Sequence, residues 1–188
     1  MRLREVSAIV ALSFVSGCAT TLDTISSVDV NNLQDNQAVI LFSAGSKVAC
    51  KFNTAQIVVK ESSKEANLAS SIAVYQLNNA YIESVFDDEY GLVYSTVLKP
   101  GNYDFWLSNT NPFVSYKNPM LTESVALKPK EVMYLGEFYS DNCGGDGDLN
   151  VTINNKSERD LRFINQHNGE LDINNVTIAP ATIIRNND

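Results

Sequence analysis

The chain has 188 residues, 44% apolar and 19% charged, with a formal net charge of −8. That length suits one domain with a core of its own, and the acidic balance argues against a basic face for nucleic acid or anionic lipid. A single histidine excludes a metal cage built on two histidines of one chain.

The N-terminus carries Arg2 and Arg4, and Val6 to Val15 is an apolar run interrupted only by Ser7 and Ser13. About ten residues is too short for a bilayer-spanning helix, which takes about 20, but it fits the hydrophobic part of a secretory signal. Val15-Ser16-Gly17-Cys18 follows: an aliphatic residue, two small residues and a cysteine. This resembles the bacterial lipobox, with Val15 where leucine is usual. The resemblance implies a signal peptide over residues 1–17 and a Cys18 that becomes the new N-terminus. It implies a diacylglyceryl group on the Cys18 thiol and a further acyl chain, such as palmitate, on its amine. Two chains give stable anchoring, at about 0.8 kcal/mol per buried CH₂. Ala19 rather than Asp after the cysteine implies, for a Gram-negative lipoprotein, onward transport to the periplasmic face of the outer membrane. The alternative is a plain secreted protein whose cysteine is incidental.

Residues 18–37 read as a lipidated start and a tether, because Leu22, Ile25, Val28, Val30 and Leu33 are scattered among Asn and Asp. Residues 38–188 read as the folded domain. Val39-Ile40-Leu41-Phe42 is a continuous apolar run that predicts a buried strand. Further strands are expected at Ile57 to Val59, Ile72 to Tyr75 and Tyr81 to Phe86, with a turn at Asp87 to Gly91. Leu98-Lys99-Pro100-Gly101 predicts a tight turn between antiparallel strands, with Gly101 left-handed as a type II turn requires. Leu127-Lys128-Pro129 repeats it without the glycine. Leu149, Val151 and Ile153 alternate on one face of another strand. Ser157-Glu158-Arg159-Asp160 looks like a capped helix start, with Leu161 and Ile164 on one face and Gly169 as the stop. A last strand is expected within Ile173 to Ile178. Eight or nine short strands and one late helix predict an antiparallel β-sandwich, immunoglobulin-like or similar; an eight-stranded barrel is the alternative.

Lipidation would consume one of three cysteines, leaving Cys50 and Cys143 as an even pair in an oxidising compartment, so a disulfide is expected between them. Neither sits in a Cys-x-x-Cys motif, which leaves redox catalysis without support. The chain has no nucleophile elbow, zinc-protease motif or phosphate-cradling loop, and no cofactor is expected. His167, near the helix end, reads as a surface histidine. Asp141 to Asp148 has the oxygens and glycines of a calcium loop without the spacing of a known one. Asp87-Asp88-Glu89 offers carboxylates for glycan hydrolysis, although neighbours on a turn usually diverge. Trp106, on the strand face opposite Tyr103 and Phe105, joins Phe113 and Tyr116 of the Asn109 to Met120 connection as a candidate partner-binding patch; a second buried surface is the other reading.

Val39 to Phe42, Leu98 to Tyr103 and Leu127 to Leu135 together resemble the lipid-anchored β-sandwich families of unassigned function in Gram-negative envelopes. That resemblance implies a fold and an envelope location and supplies no catalytic residues. The expected function is a non-enzymatic binding, scaffold or accessory module held at the membrane, with an envelope protein or glycan as partner. A hydrolase of envelope glycan or peptide is the alternative.

Overall fold

In a computed structural model of the chain, Val39 to Phe42 lie within β1 (Ala38–Ser46), a strand buried at every position. Successive side chains on a strand point to opposite faces, so a strand apolar on both faces needs cover on both. The described residues are 30–50, 55–64, 70–109, 121–143, 149–168 and 171–184. Sheet A orders β10 (Val176–Ile178), β8 (Val132–Ser140), β1 and β4 (Tyr90–Leu98), with β9 (Val151–Asn154) also on β8. Sheet B orders β11 (Ile183–Ile184), β6 (Leu121–Thr122), β5 (Gly101–Asn109), β2 (Ala55–Glu61) and β3 (Ser71–Gln76), with β7 (Val125–Leu127) also on β5.

Ile40 and Phe42 face sheet B and join Ile57, Val59, Phe105 and Leu107 in the main core. Phe42 is its centre, with ring centroids 5.0–5.9 Å from Tyr75, Tyr94, Phe105 and Phe138. Val39 and Leu41 face the other way and join Val93, Tyr134, Leu161 and Ile164 in a second cluster. The last two belong to α1 (Ser157–Asn168), on the face expected from their spacing. The chain is thus mainly β, a two-sheet sandwich with a helical layer over sheet A. The sheets do not close into a barrel. Pairing is not all antiparallel: β1 and β10 both run parallel to β8. β1 and β8 can lie side by side in this sense because the long chain between them visits sheet B twice.

Both Leu-Lys-Pro turns depart from the expected hairpins. β4 belongs to sheet A and β5 to sheet B, and likewise β7 to sheet B and β8 to sheet A. The turns are corners that carry the chain between sheets packed about 10 Å apart. The residue before a proline is confined to extended backbone, which suits such a step, and Leu98 and Leu127 are buried between the sheets beside it. The Tyr103 hydroxyl fastens the first corner by donating to the Lys99 carbonyl at 2.7 Å. Gly101 is not left-handed; among the described residues positive φ occurs at Lys130 (61°) and Gly136 (96°). Lys130 follows Pro129 in the second corner, where the Glu131 N–H donates to the Lys128 carbonyl at 3.2 Å. A side chain in that conformation costs about 1–2 kcal/mol, against about 0.5–1 kcal/mol for the extra chain entropy of glycine. Lys130→Gly is therefore expected to stabilise the fold by about 0.5 kcal/mol, read as a raised denaturation midpoint. Its exposed ion pair with Asp35 contributes little.

Three local expectations are also revised. Tyr81 to Phe86 forms no strand: the Ser84 hydroxyl accepts from the N–H groups of Phe86 (3.1 Å) and Gly91 (3.0 Å), replacing ladder bonds with a loop. Gly91 lies in β4 rather than in a turn. The α1 cap comes from Asn155, whose side-chain oxygen accepts from the Ser157 N–H at 3.1 Å. Ahead of β1, Leu33 is buried in the second cluster and the Gln37 carbonyl accepts from the Lys130 N–H at 2.7 Å. Cys50 and Cys143 are joined as expected, with Cα atoms 5.5 Å apart. Closing so long a loop stabilises by about 4–5 kcal/mol in the chain-entropy account.

Candidate functional site

The outer face of sheet A is apolar at one end and charged at the other. The change is made by a bulge in β8. Between Leu41 and Ser43 of β1 the register advances one extra residue on β8, and Gly136 takes its positive φ there. A bulge reverses which face the following side chains meet, and it turns Glu137 outward beneath α1. Two glycines make room. A Cβ on Gly45 would strike the Glu137 carboxylate, and one on Gly136 would come within 2.8 Å of Ile153 Cγ2 and 2.9 Å of the Asn154 carbonyl.

Arg159, on the first turn of α1, reaches into this end. Its Nη2 donates to Glu137 Oε1 at 2.8 Å, its Nε to Asp160 Oδ1 at 2.8 Å, and its Nη1 to Glu89. Ser43 and Tyr134 both donate to Asp160 Oδ2, at 2.5 and 2.6 Å. Asn154 Nδ2 donates to the other Glu137 oxygen at 3.3 Å. Glu137 and Asp160 are fully buried. Burial works against the guanidinium charge, but the Asp160 and Glu137 carboxylates outweigh it and raise the Arg159 pKa. Burial, then the charge and hydrogen bond of Asp160, push the Tyr134 phenol well above its usual range, so it remains a donor.

Over this network lies a cleft of about 720 Å³, walled by Val85 to Asp88 on one side and by residues of α1 on the other. Phe86 forms its floor, with the Arg159 guanidinium 3.8 Å above the ring centroid and Phe163 edge-on at 5.8 Å. Phe86 rests on Gly91, where a Cβ would collide with its ring. Lys156, Arg159 and Arg162 are matched by Asp87, Asp88 and Glu158 along the lining, so the cleft is electrically balanced in an acidic chain. Gly91→Ala is expected to displace Phe86, remove its contact with Arg159 and cost about 1–3 kcal/mol as overpacking does, checked by denaturation.

The residues singled out from sequence fall in different places. Asp87 and Asp88 are exposed on the cleft wall while Glu89 turns inward to Arg159, so the three carboxylates do not form one set. His167 is exposed; its Nδ1 lies 2.9 Å from the Phe163 carbonyl and its ring 4.1 Å from that of Phe163. Trp106 is half-buried on the outer face of sheet B, flanked across the strands by Val58 and Leu121, and its enclosed Nε1 has no partner among the described residues. Tyr103 and Phe105 are core on the opposite face. Cys18, Phe113, Tyr116, Gly169 and the Gly144 to Asp148 part of the acidic loop lie outside the described residues. Among the described residues no three His, Cys, Asp or Glu side chains gather as a metal site, and no helix is long and apolar enough to cross a membrane.

The Arg159 network was not anticipated. Asp160 looked like a helix-dipole acid, yet it is fully buried and accepts from Ser43, Tyr134 and Arg159. The one sequence signal was Glu137, a lone charge after a glycine within the apolar strand Val132–Ser140. The fold and site define a class: an open two-sheet β-sandwich whose helical layer frames a cleft over a buried ionic network. No family model matches the chain, and no curated protein or solved structure is significantly similar to it.

Proposed function

We propose that this chain is a lipid-anchored envelope protein, held by acylated Cys18 at the periplasmic face of the outer membrane, and that it acts as a non-enzymatic binding or scaffold module. The lipobox-like Val15 to Cys18 supports the anchor. The cleft between Val85 to Asp88 and α1 is the recognition site. The observation that carries this reading is the division of labour at the cleft. The hydroxyls of Ser43 and Tyr134 are buried and committed to Asp160, away from the cleft lining, so they are closed to a ligand. The groups open to a ligand are side-chain charges of both signs, with Gln166 beside them. Such a surface suits a polar envelope protein segment or glycan that is itself near neutral.

The test uses the full chain in membranes. Asp88→Lys with Arg162→Glu reverses both walls at exposed positions, so crosslinked capture of the envelope partner should fall about tenfold with the denaturation midpoint unchanged. Cys18→Ser should release the chain from the membrane fraction, and intact mass should show lipid on the natural chain alone. Equal partitioning of both chains would remove the anchor from this reading. Turnover of envelope glycan or peptide that is lost on changing Asp87 and Asp88 would replace it with the hydrolase alternative.

A further inference from the structure

We infer, on the reading that the cleft is the recognition site, that it is two-ended and takes a peptide end: a free carboxylate with an ammonium group two or three residues away. The walls hold opposite charges apart. Asp87 and Asp88 stand on the loop wall, Lys156 and Arg162 on the α1 wall. Opposite charges pair within about 4 Å, yet among the described residues Asp87, Asp88 and Arg162 make no ion pair and no side-chain hydrogen bond. Lys156 reaches only Glu89, at 3.9 Å, and Arg159 already holds that acid. The gap is too wide for the walls to neutralise each other, so a bound molecule has to bring both charges. One exposed charge attracts weakly. Two of opposite sign on facing walls select a ligand by both its charges and their spacing.

The carboxylate end is the start of α1, which opens into the cleft with donors to spare. The Ser157 N–H is taken by Asn155, and the Asp160 N–H by the Lys156 carbonyl. Between them the Glu158 and Arg159 N–H groups belong to the first turn, which has no intrahelical acceptors. Ser157 is 9% exposed and lines the cleft. Its hydroxyl has no partner among the described residues and is not sealed from solvent, so it opens on the cleft. A hydroxyl and two amides at the positive end of a helix hold an anion. Lys156 and Arg162 add two positive charges there and Glu158 removes one. That balance suits a carboxylate better than a phosphate, which carries about −1.5 to −2.

At the other wall an ammonium suits two neighbouring carboxylates, because its three N–H donors rotate and can be shared between side chains that diverge. Between the ends, the half-buried rings of Phe86 and Phe163 give an apolar floor for the ligand's carbon atoms. The cleft holds about 720 Å³. A cube of that volume is about 9 Å on a side, the span of two or three extended residues. A neutral glycan would set hydroxyls against the four wall charges without matching their signs.

Tri-alanine is the probe, titrated into the full chain while backbone amide shifts are followed by nuclear magnetic resonance. The amides of Asp87, Asp88, Ser157 and Glu158 should move. Acetylating the amine of the probe, or amidating its carboxyl, should each raise Kd at least about tenfold. Asp87→Asn with Asp88→Asn should erase the penalty for acetylation alone. Arg162→Gln with Ser157→Ala should erase the penalty for amidation alone, and Arg162→Gln by itself, at an exposed position, should reduce it if the pair fails to fold. A general loss of structure would erase both penalties together. N-acetyl-Lys-Ala-Ala keeps both charges with the amine on a side chain: binding equal to tri-alanine supports a protein C-terminus as the ligand, and binding of tri-alanine alone supports a free peptide. Caps that change nothing, or cleft amides that do not move at millimolar probe, overturn the inference. A neutral oligosaccharide that moves those amides where tri-alanine does not overturns it too, but leaves the cleft as the recognition site. If neither moves them, and Asp88→Lys with Arg162→Glu captures the partner as the natural chain does, the reading of the cleft falls as well.

Discussion

Arg159→Ala is expected to destabilise the protein by about 3–5 kcal/mol, the range for removing one partner of a buried ion pair. Glu137 and Asp160 are both fully buried, and the guanidinium is their shared cation at 2.8 Å from each. Without it Glu137 keeps the Asn154 amide, and Asp160 keeps the Ser43 and Tyr134 hydroxyls. These neutral donors do not offset the desolvation of two carboxylates. Chemical denaturation of the single variant gives the loss. A cycle with Glu137→Gln gives the cause: if the buried charge is at fault, the double variant should recover about 1–3 kcal/mol of it. A loss under about 1 kcal/mol for the single variant would mean that the acids find water or another cation. Arg159→Lys should fall between, because an ammonium cannot reach three acids with the planar fork of arginine.

The apolar architecture was readable from sequence, and the charged architecture was not. β1 announces itself as a buried strand because both of its faces are covered, so its run Val39 to Phe42 has no polar interruption. Trp106 opposite Phe105 and the face of Leu161 and Ile164 follow equally from local period. Leu-Lys-Pro could not reveal that it turns a corner. A proline turn looks the same in a hairpin and between sheets, and what separates them is that β4 pairs with β1, more than forty residues away in the chain. The parallel contact of β1 with β8 is equally non-local. Glu137 is hidden for another reason. Alternation alone would assign it to the face of Leu135, and only the bulge at Gly136 reverses it. The site therefore rests on the backbone irregularity that a period-two reading discards.

Asp104→Ala should cost about 3–5 kcal/mol at neutral pH, and the natural chain should lose that advantage in acid. Lys60 sits on the outer face of sheet B with its side chain only 5% exposed. It donates to Asp104 Oδ2 at 2.6 Å and to the Lys64 carbonyl at 2.9 Å. The other Asp104 oxygen accepts from the hydroxyls of Ser62 at 2.5 Å and Ser124 at 2.7 Å. Removing the carboxylate leaves a buried ammonium with backbone carbonyls alone. Burial by itself would raise the Asp104 pKa, but the hydrogen bonds from Lys60, Ser62 and Ser124 and the charge of Lys60 outweigh it and hold the carboxyl below the usual carboxylate range. A carboxyl depressed in the folded state binds its proton more readily when unfolded. Its contribution is then complete above the unfolded value of about 3.9 and is lost as pH falls through the folded value. Plotted against pH, the stability difference between the natural chain and Asp104→Ala should be flat from about pH 5 to 8 and shrink below about pH 4. Asp104→Asn keeps the shape and removes the charge, so its own curve should stay flat through that acidic window relative to Asp104→Ala. A gap that persists unchanged to pH 2 would place the stabilisation in packing of the Asp104 side chain rather than in its charge.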